Sequence, residues 1–358
     1  MSKLVWGLLT VPQSAAGERD GAAVYQRTLE IADAAASGGF DVLYYPEHHG
    51  RDDQYPSAPL TLAALVAGRH RSIRVATGVA LLPLHNPVTF CEQAALLDVL
   101  SEGRLHRLGV AIGDLPAEYA ALGVPHAEMI ARFEASLRVV TRLWRGETVS
   151  AAIGDSMRIV DASVSPSPIS ARVPLAIGAM SVRGVERAAR MGLPWIADPM
   201  NSLEILEPLA ERYWSLAGGS GEIVLMRQCW IADDPEAIAS RWWPHVRASI
   251  FGFSRSAKRL RGEPEVARAE SADELRLEHF ASRFMLGNAS EVHEQCLAAA
   301  HRLGADEVVL RFGFQTGPEH GAVLAAIGEF ARLLLDERGA PARPDLGPRF
   351  PANEGHDR

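Results

Sequence analysis

Cysteine is scarce in this 358-residue chain: Cys91, Cys229 and Cys296 are odd in number and far apart, with no CxxC pair and no Cys/His zinc spacing. That excludes a disulfide framework and a structural zinc centre. Positive charge is also in short supply. The 36 lysines and arginines face 44 aspartates and glutamates, a net charge of −8, and no basic stripe concentrates them, so nucleic acid is not an expected partner. No apolar run reaches the ~18 residues of a membrane span. The start holds one lysine and an apolar run ending near Leu9, too short for a signal-peptide core, so the cytoplasm is the expected location. Several signatures are missing as well. There is no H-E-x-x-H, no G-x-S-x-G elbow and no phosphate loop, and no G-x-G-x-x-G follows the first strand.

What is present is an alternation of short apolar runs with longer helical patterns. Strands are expected at Leu4–Leu9, Val42–Tyr45, Arg74–Val79, Leu105–Ala111, Leu175–Ile177, Trp195–Ala197, Ile223–Ile231 and Val308–Phe312. A helical pattern follows each of them, for example Val24–Ser37, closed by Gly38-Gly39, and Val88–Leu100, entered through Pro87. Strands covered on both faces by helices should be continuously apolar, as these are. Eight such units predict an α/β protein of the (β/α)8 barrel type, with an open doubly wound sheet as the alternative.

Two interruptions break the alternation. Glu147–Pro168 carries Val149, Ile153, Ile159 and Val160 around Gly154-Asp155 and reads as an inserted hairpin. Phe251–Glu278, before the last strand, is Arg-rich and too polar for a core; it reads as a lid-like surface excursion. Residues 1–337 are expected to form a single barrel domain, and 338–358, with Pro341, Pro344, Pro348 and Pro351, a disordered tail.

In such barrels the chemistry sits at the carboxyl ends of the strands. Strand two ends in Tyr45-Pro46-Glu47-His48-His49. Neighbouring residues of an extended chain point to opposite sides, so His48 and His49 do not readily share one metal ion, and no metal is expected. One reading has a histidine in the barrel wall bonded to a carboxylate. The other has a histidine lining the cavity and exchanging protons, with Glu47 orienting it. Ser181 stands where the fifth helix begins, a natural N-cap. The N–H groups of that helix start can also bind phosphate, with Arg132 on the fourth helix as a cation nearby. The cysteines lie away from the strand ends, so no thiol nucleophile is expected.

Taken together, these segments resemble the bacterial luciferase-like flavin monooxygenases. Gly39-Phe40-Asp41 through Glu47-His48-His49 is similar to the family's strand-two motif, and Val75–Pro83 with Asn86-Pro87-Val88 to its third-strand stretch. Leu97-Asp98-Val99-Leu100-Ser101-Glu102-Gly103-Arg104 looks like its "LD.LS.GR" segment, and Gly178–Ser181 with Ala188–Pro194 like its flavin-phosphate segment. The likeness runs from about Leu4 to Pro199 and returns near Gly287–Gly317.

The resemblance implies a (β/α)8 barrel, most often a homodimer, that binds reduced FMN at its carboxyl face. The flavin comes from a separate reductase, and with dioxygen as co-substrate one oxygen atom is put into a small organic substrate. By position His48 would be the catalytic histidine, assisted by Glu47. Gly78-Val79 would form a non-proline cis peptide beneath the flavin ring, Met180 and Ser181 would meet the flavin edge and phosphate, and Arg132 the phosphate charge. Ala111 stands where luciferase itself has a cysteine, which argues against light emission. Ile112 stands where many members have an arginine on the phosphate, which leaves room for a deazaflavin-dependent dehydrogenase or reductase as the alternative. A non-catalytic flavin-binding protein is a third possibility.

Overall fold

The protein is described here by a computed structural model, covering residues 4–14, 18, 20–219, 221–256, 266, 268–315 and 317–339. Eight parallel strands close on themselves. They are β1 (Val5–Leu9), β2 (Val42–Tyr45), β3 (Arg74–Leu81), β4 (Leu105–Ala111), β7 (Leu175–Ala179), β8 (Trp195–Ala197), β9 (Ile223–Ile231) and β11 (Glu307–Arg311), with β11 pairing back onto β1. These are the eight strands expected from the apolar runs, each within two residues of its expected bounds. The (β/α)8 barrel is therefore the fold. The hairpin is also present, as the antiparallel pair β5 (Val149–Ile153) and β6 (Met157–Ala162).

The alternation of side chains along each strand sorts the core into two layers. Val42, Tyr44, Ala76, Val224, Met226 and Val309 fill the barrel interior. Their strand neighbours, such as Leu43, Val75, Leu225 and Val308, pack outward in a larger cluster with the helices. β9 is buried at all nine positions because it has neighbours on both faces.

The outer ring includes α1 (Gly21–Ser37), α2 (Pro59–Arg69), α3 (Pro87–Leu100), α4 (Pro116–Ala121), α5 (Met129–Trp144), α6 (Val182–Arg190) and α7 (Leu203–Ala217). Local chemistry sets their ends. Asp20 caps α1 by accepting the Ala23 N–H at 3.1 Å, and Asn86 caps α3 by accepting the Val88 N–H at 2.9 Å, with Pro87 in the first turn. Further on come helices at Ala289–Leu303 and His320–Arg338.

The amino end of the barrel is closed by charge. The Tyr44 hydroxyl donates to Glu307 Oε1 at 2.6 Å, and Arg107 Nε donates to Glu307 Oε2 at 2.9 Å. Arg107 also reaches Glu222 at 2.7 Å, and His106 Nε2 lies 3.0 Å from Glu307 Oε2. Burial alone would raise the Glu307 carboxyl, yet His106, Arg107 and Tyr44 together hold it down at about 2.

Three features depart from the sequence reading. A further strand, β10 (Phe284–Gly287), pairs in parallel with the carboxyl half of β9, where the sequence was read as the end of a polar excursion. The short helix α4 precedes α5 and was not anticipated. Within 251–278, residues 257–265 and 267 lie outside the described residues; the described end of this excursion is anchored by buried Leu275 and Phe280. The call of a disordered tail at 338–358 falls, from residue 340 on, outside the described residues.

Candidate functional site

Four segments meet at the carboxyl end of the barrel: the exits of β2, β3 and β4, and the β7–α6 junction. The chain leaves β2 in extended form, and Glu47 becomes its anchor. The Glu47 backbone N–H donates to the Val79 carbonyl at 3.1 Å. Its carboxylate accepts the Leu81 N–H at 2.7 Å and lies 2.8 Å from His85 Nε2 and 2.6 Å from His49 Nε2. The side chain is fully enclosed. Burial pushes the carboxyl up, but the bonds from His49, His85 and Leu81 outweigh it and hold it at about 2. The same bond raises the His49 imidazole above its ordinary value.

Glu47 therefore does not orient His48, as the sequence reading expected. Side chains alternate along an extended chain, so Glu47 shares a side with His49, two residues on, and not with His48. The carboxylate on His48 comes from α4: Glu118 Oε1 lies 2.8 Å from His48 Nδ1. The same oxygen accepts the His49 backbone N–H at 2.9 Å. On its other side His48 meets the edge of the Tyr55 ring, with centroids 4.9 Å apart. Both readings offered for the histidines thus find their geometry: His49 and His85 are tied to a buried carboxylate in the wall, and His48 stands apart with a carboxylate of its own. Nothing in the sequence linked Glu118 to a histidine seventy residues earlier. Its only local sign is an acidic residue in the first turn after Pro116.

Beside this loop lies an apolar floor. The Gly78-Val79 peptide is cis, as the resemblance implies. Val79 packs against the interior cluster that includes Leu9 and Met226. Gly178 stands against Val79 and Ala111: a Cβ there would sit 3.0 Å from Val79 Cγ1 and 3.6 Å from Ala111 Cβ. Val79, Ala111 and Gly178 thus converge from three different strands.

At the end of β7, Ser181 caps α6, its hydroxyl accepting the Gly184 N–H at 3.2 Å. Met180 is half-buried, while Ser181, Val182 and Arg183 are exposed. The first N–H groups of a helix lack partners within it, so this terminus can receive an anion. Arg183, unremarked in the sequence, adds an exposed cation beside it. Arg132 departs from expectation. Its guanidinium is buried and engaged by the Pro83 carbonyl at 2.9 Å, the Ser156 hydroxyl at 3.0 Å and the Ile153 carbonyl at 3.5 Å. It braces α5 and the β3 exit against the hairpin, and no hydrogen bond joins it to Met180 or Ser181 among the described residues.

No group of histidine, cysteine and carboxylate side chains suited to a metal occurs among the described residues. All three cysteines are buried, and burial pushes the Cys91 and Cys296 thiols up to about 12. Such thiols stay protonated and unreactive at neutral pH. No described helix is long and apolar enough to cross a membrane.

Comparison with known proteins agrees with this geometry. The chain is 33% identical over 194 residues to the 4-hydroxyprotoasukamycin monooxygenase of Streptomyces nodosus subsp. asukaensis, a match covering 54% of this chain and 52% of that protein. The matched stretch thus spans about half the length of that curated relative. Among solved structures, the monooxygenase RslO1 of Streptomyces bottropensis superposes with a TM-score of 0.76 at 23% identity, covering 94% of this chain and 100% of that one. The oxygenating constituent of 3,6-diketocamphane monooxygenase from Pseudomonas putida, solved in complex with FMN, gives a TM-score of 0.76 at 17% identity over 97% and 99% of the two chains. At these identities the structural likeness speaks for the fold. The sequence model of the luciferase-like monooxygenases matches residues 5–307, and the chain belongs to that family.

Proposed function

We propose that this protein is an FMN-dependent monooxygenase, using reduced flavin from a separate reductase and dioxygen to put one oxygen atom into a small organic substrate. The observation that carries the reading is the pairing, at one barrel mouth, of an apolar floor with an imidazole held by a buried carboxylate. The residues fit the cofactor. Val79, Ala111, Gly178 and Met226 offer a flat apolar seat that a Cβ at position 178 would crowd. The start of α6 offers unpaired N–H groups to a phosphate, with Arg183 beside it. This arrangement moves the phosphate contact from Arg132, as first expected, to Ser181, Met180 and Arg183.

When bound, reduced FMN supplies the electrons that divide dioxygen between the substrate and water. The protein's part is to seat the ring on the apolar floor and to keep a proton available beside it. His48 performs the second task, because imidazole exchanges protons near neutral pH. Glu47 serves indirectly: it ties the β2 exit to Val79 and Leu81 and so fixes the place of both histidine and floor. Ala111, a methyl group on that floor, offers no thiol, in line with oxygenation without light. The same reading takes in a homodimer, supported by exposed Leu65, Leu96 and Leu100 on the neighbouring helices α2 and α3, and a cytoplasmic setting beside the reductase.

Stopped-flow mixing of the protein with reduced FMN and oxygenated buffer tests the proposal. Bound reduced FMN should react with dioxygen along a course distinct from that of the free flavin. If reduced FMN does not bind while a reduced deazaflavin does, and no oxygen is consumed, the dehydrogenase reading replaces this one.

A further inference from the structure

We infer that Glu118 is a positioning residue for His48, fixing which ring nitrogen carries the proton at the barrel mouth. The inference rests on the reading above, in which His48 handles a proton beside the flavin. The contact is short, 2.8 Å from Glu118 Oε1 to His48 Nδ1, and the Glu118 side chain is 3% exposed. An ionised carboxylate can only accept hydrogen bonds, so Nδ1 carries the hydrogen and Nε2 becomes the nitrogen whose proton comes and goes. Burial works against ionisation of Glu118, but the bond from His48 and the His49 N–H outweigh it and hold the carboxyl below its ordinary value.

The surroundings of Glu118 are built to keep it still. The next residue, Tyr119, is fully buried, and its hydroxyl donates to the Ile112 carbonyl at 2.6 Å. The His126 ring packs edge-on against it at 5.0 Å. Through Tyr119, α4 is pinned to the residue that follows Ala111; through Glu118, it is pinned to the β2 exit. One short helix therefore locks the proton-handling side chain in register with the apolar floor. The carboxylate is also under-used for a staple: Oε2 is buried with no hydrogen-bond partner. A neutral amide would hold the His49 N–H equally well and spare the cost of an enclosed charge, roughly several kcal/mol per ion. A charge retained in that position points to the imidazole.

Glu118→Gln separates the two roles, because its carbonyl oxygen can keep the His49 N–H while the charge is lost. Two readouts are taken. The first is the ring ¹⁵N spectrum of His48, assigned by the signals missing in His48→Gln. The wild type should show the Nδ1–H tautomer and Glu118→Gln a gain of the Nε2–H form. The second is the rate at which bound reduced FMN is oxidised by dioxygen, expected to fall about 10–100-fold in Glu118→Gln while the FMN dissociation constant stays within about twofold. Glu118→Asp, which keeps the charge, should recover part of the rate. A wild-type tautomer of Nε2–H at neutral pH overturns the inference even if the Gln variant does not fold, and so does a Gln variant with wild-type spectrum and rate. If His48→Ala leaves the oxidation rate unchanged, the proton role of His48 fails, while the tautomer spectrum still decides whether Glu118 positions the ring.

Discussion

Replacing Glu47 with glutamine should cost stability in a way that pH can read. The native carboxyl is held at about 2, against about 4.5 for an ordinary glutamate. Because the folded state binds fewer protons here than the unfolded one, the ionised group contributes stability that is present above about pH 4.5 and lost as the pH falls toward 2. The gap between the two values converts to about 3 kcal/mol. His49 runs the other way: its raised value makes its share fully present below about pH 6.5 and lost only as the pH climbs through that raised value. At pH 6 and below, the carboxyl is therefore the member of the pair that titrates.

Urea unfolding, followed by circular dichroism, should find Glu47→Gln less stable than wild type by about 3 kcal/mol at pH 6. The difference should narrow by about 0.8 kcal/mol at pH 4 and by about 1.4 kcal/mol at pH 3.5. Glutamine has no proton to take up, so the narrowing belongs to the wild type alone. A difference that stays level from pH 6 to pH 3.5 would mean that the carboxyl is not held ionised, and the anchoring role assigned to it would fall.

Two further substitutions separate chemistry from scaffolding. His48→Ala should slow the oxidation of bound reduced FMN by about 10²-fold or more with little change in melting temperature; normal oxidation in a protein that unfolds early would give His48 to the fold. Arg132→Ala should cost about 1.5–3 kcal/mol of stability, the worth of a charge-assisted hydrogen bond lost in a buried place, and should leave FMN affinity unchanged at low salt. A weakened FMN affinity with full stability would return Arg132 to the phosphate site.

The barrel was legible because its signal is repeated: an apolar run such as Ile223–Ile231 has no solvent face, and eight of them in alternation with helices leave few alternatives. Phe284–Gly287 escaped because four residues beside a polar segment carry no period that tells a strand from a turn. The Glu47-His48-His49 triplet could be found from sequence, but its pairing could not. Alternation along the chain does send Glu47 toward His49, yet Glu118 reaches His48 only because a six-residue helix folds back across the mouth. Arg132 shows the converse. Its position beside the expected phosphate site was sound, but the carbonyl of Pro83 and the hydroxyl of Ser156, brought in by a loop and a hairpin, claim its guanidinium first.

The charged plug of Arg107, Glu307 and Tyr44 makes the barrel a blind alley. With the amino end sealed and the interior packed solid, traffic has a single doorway, the rim formed by the strand exits. Whatever rests deepest on the floor must arrive before its companions and depart after them. Order of loading is thus written into the architecture, and a molecule bound across the rim would trap the one beneath it. Competition between late and early arrivals should then look uncompetitive at the doorway rather than a contest for one seat.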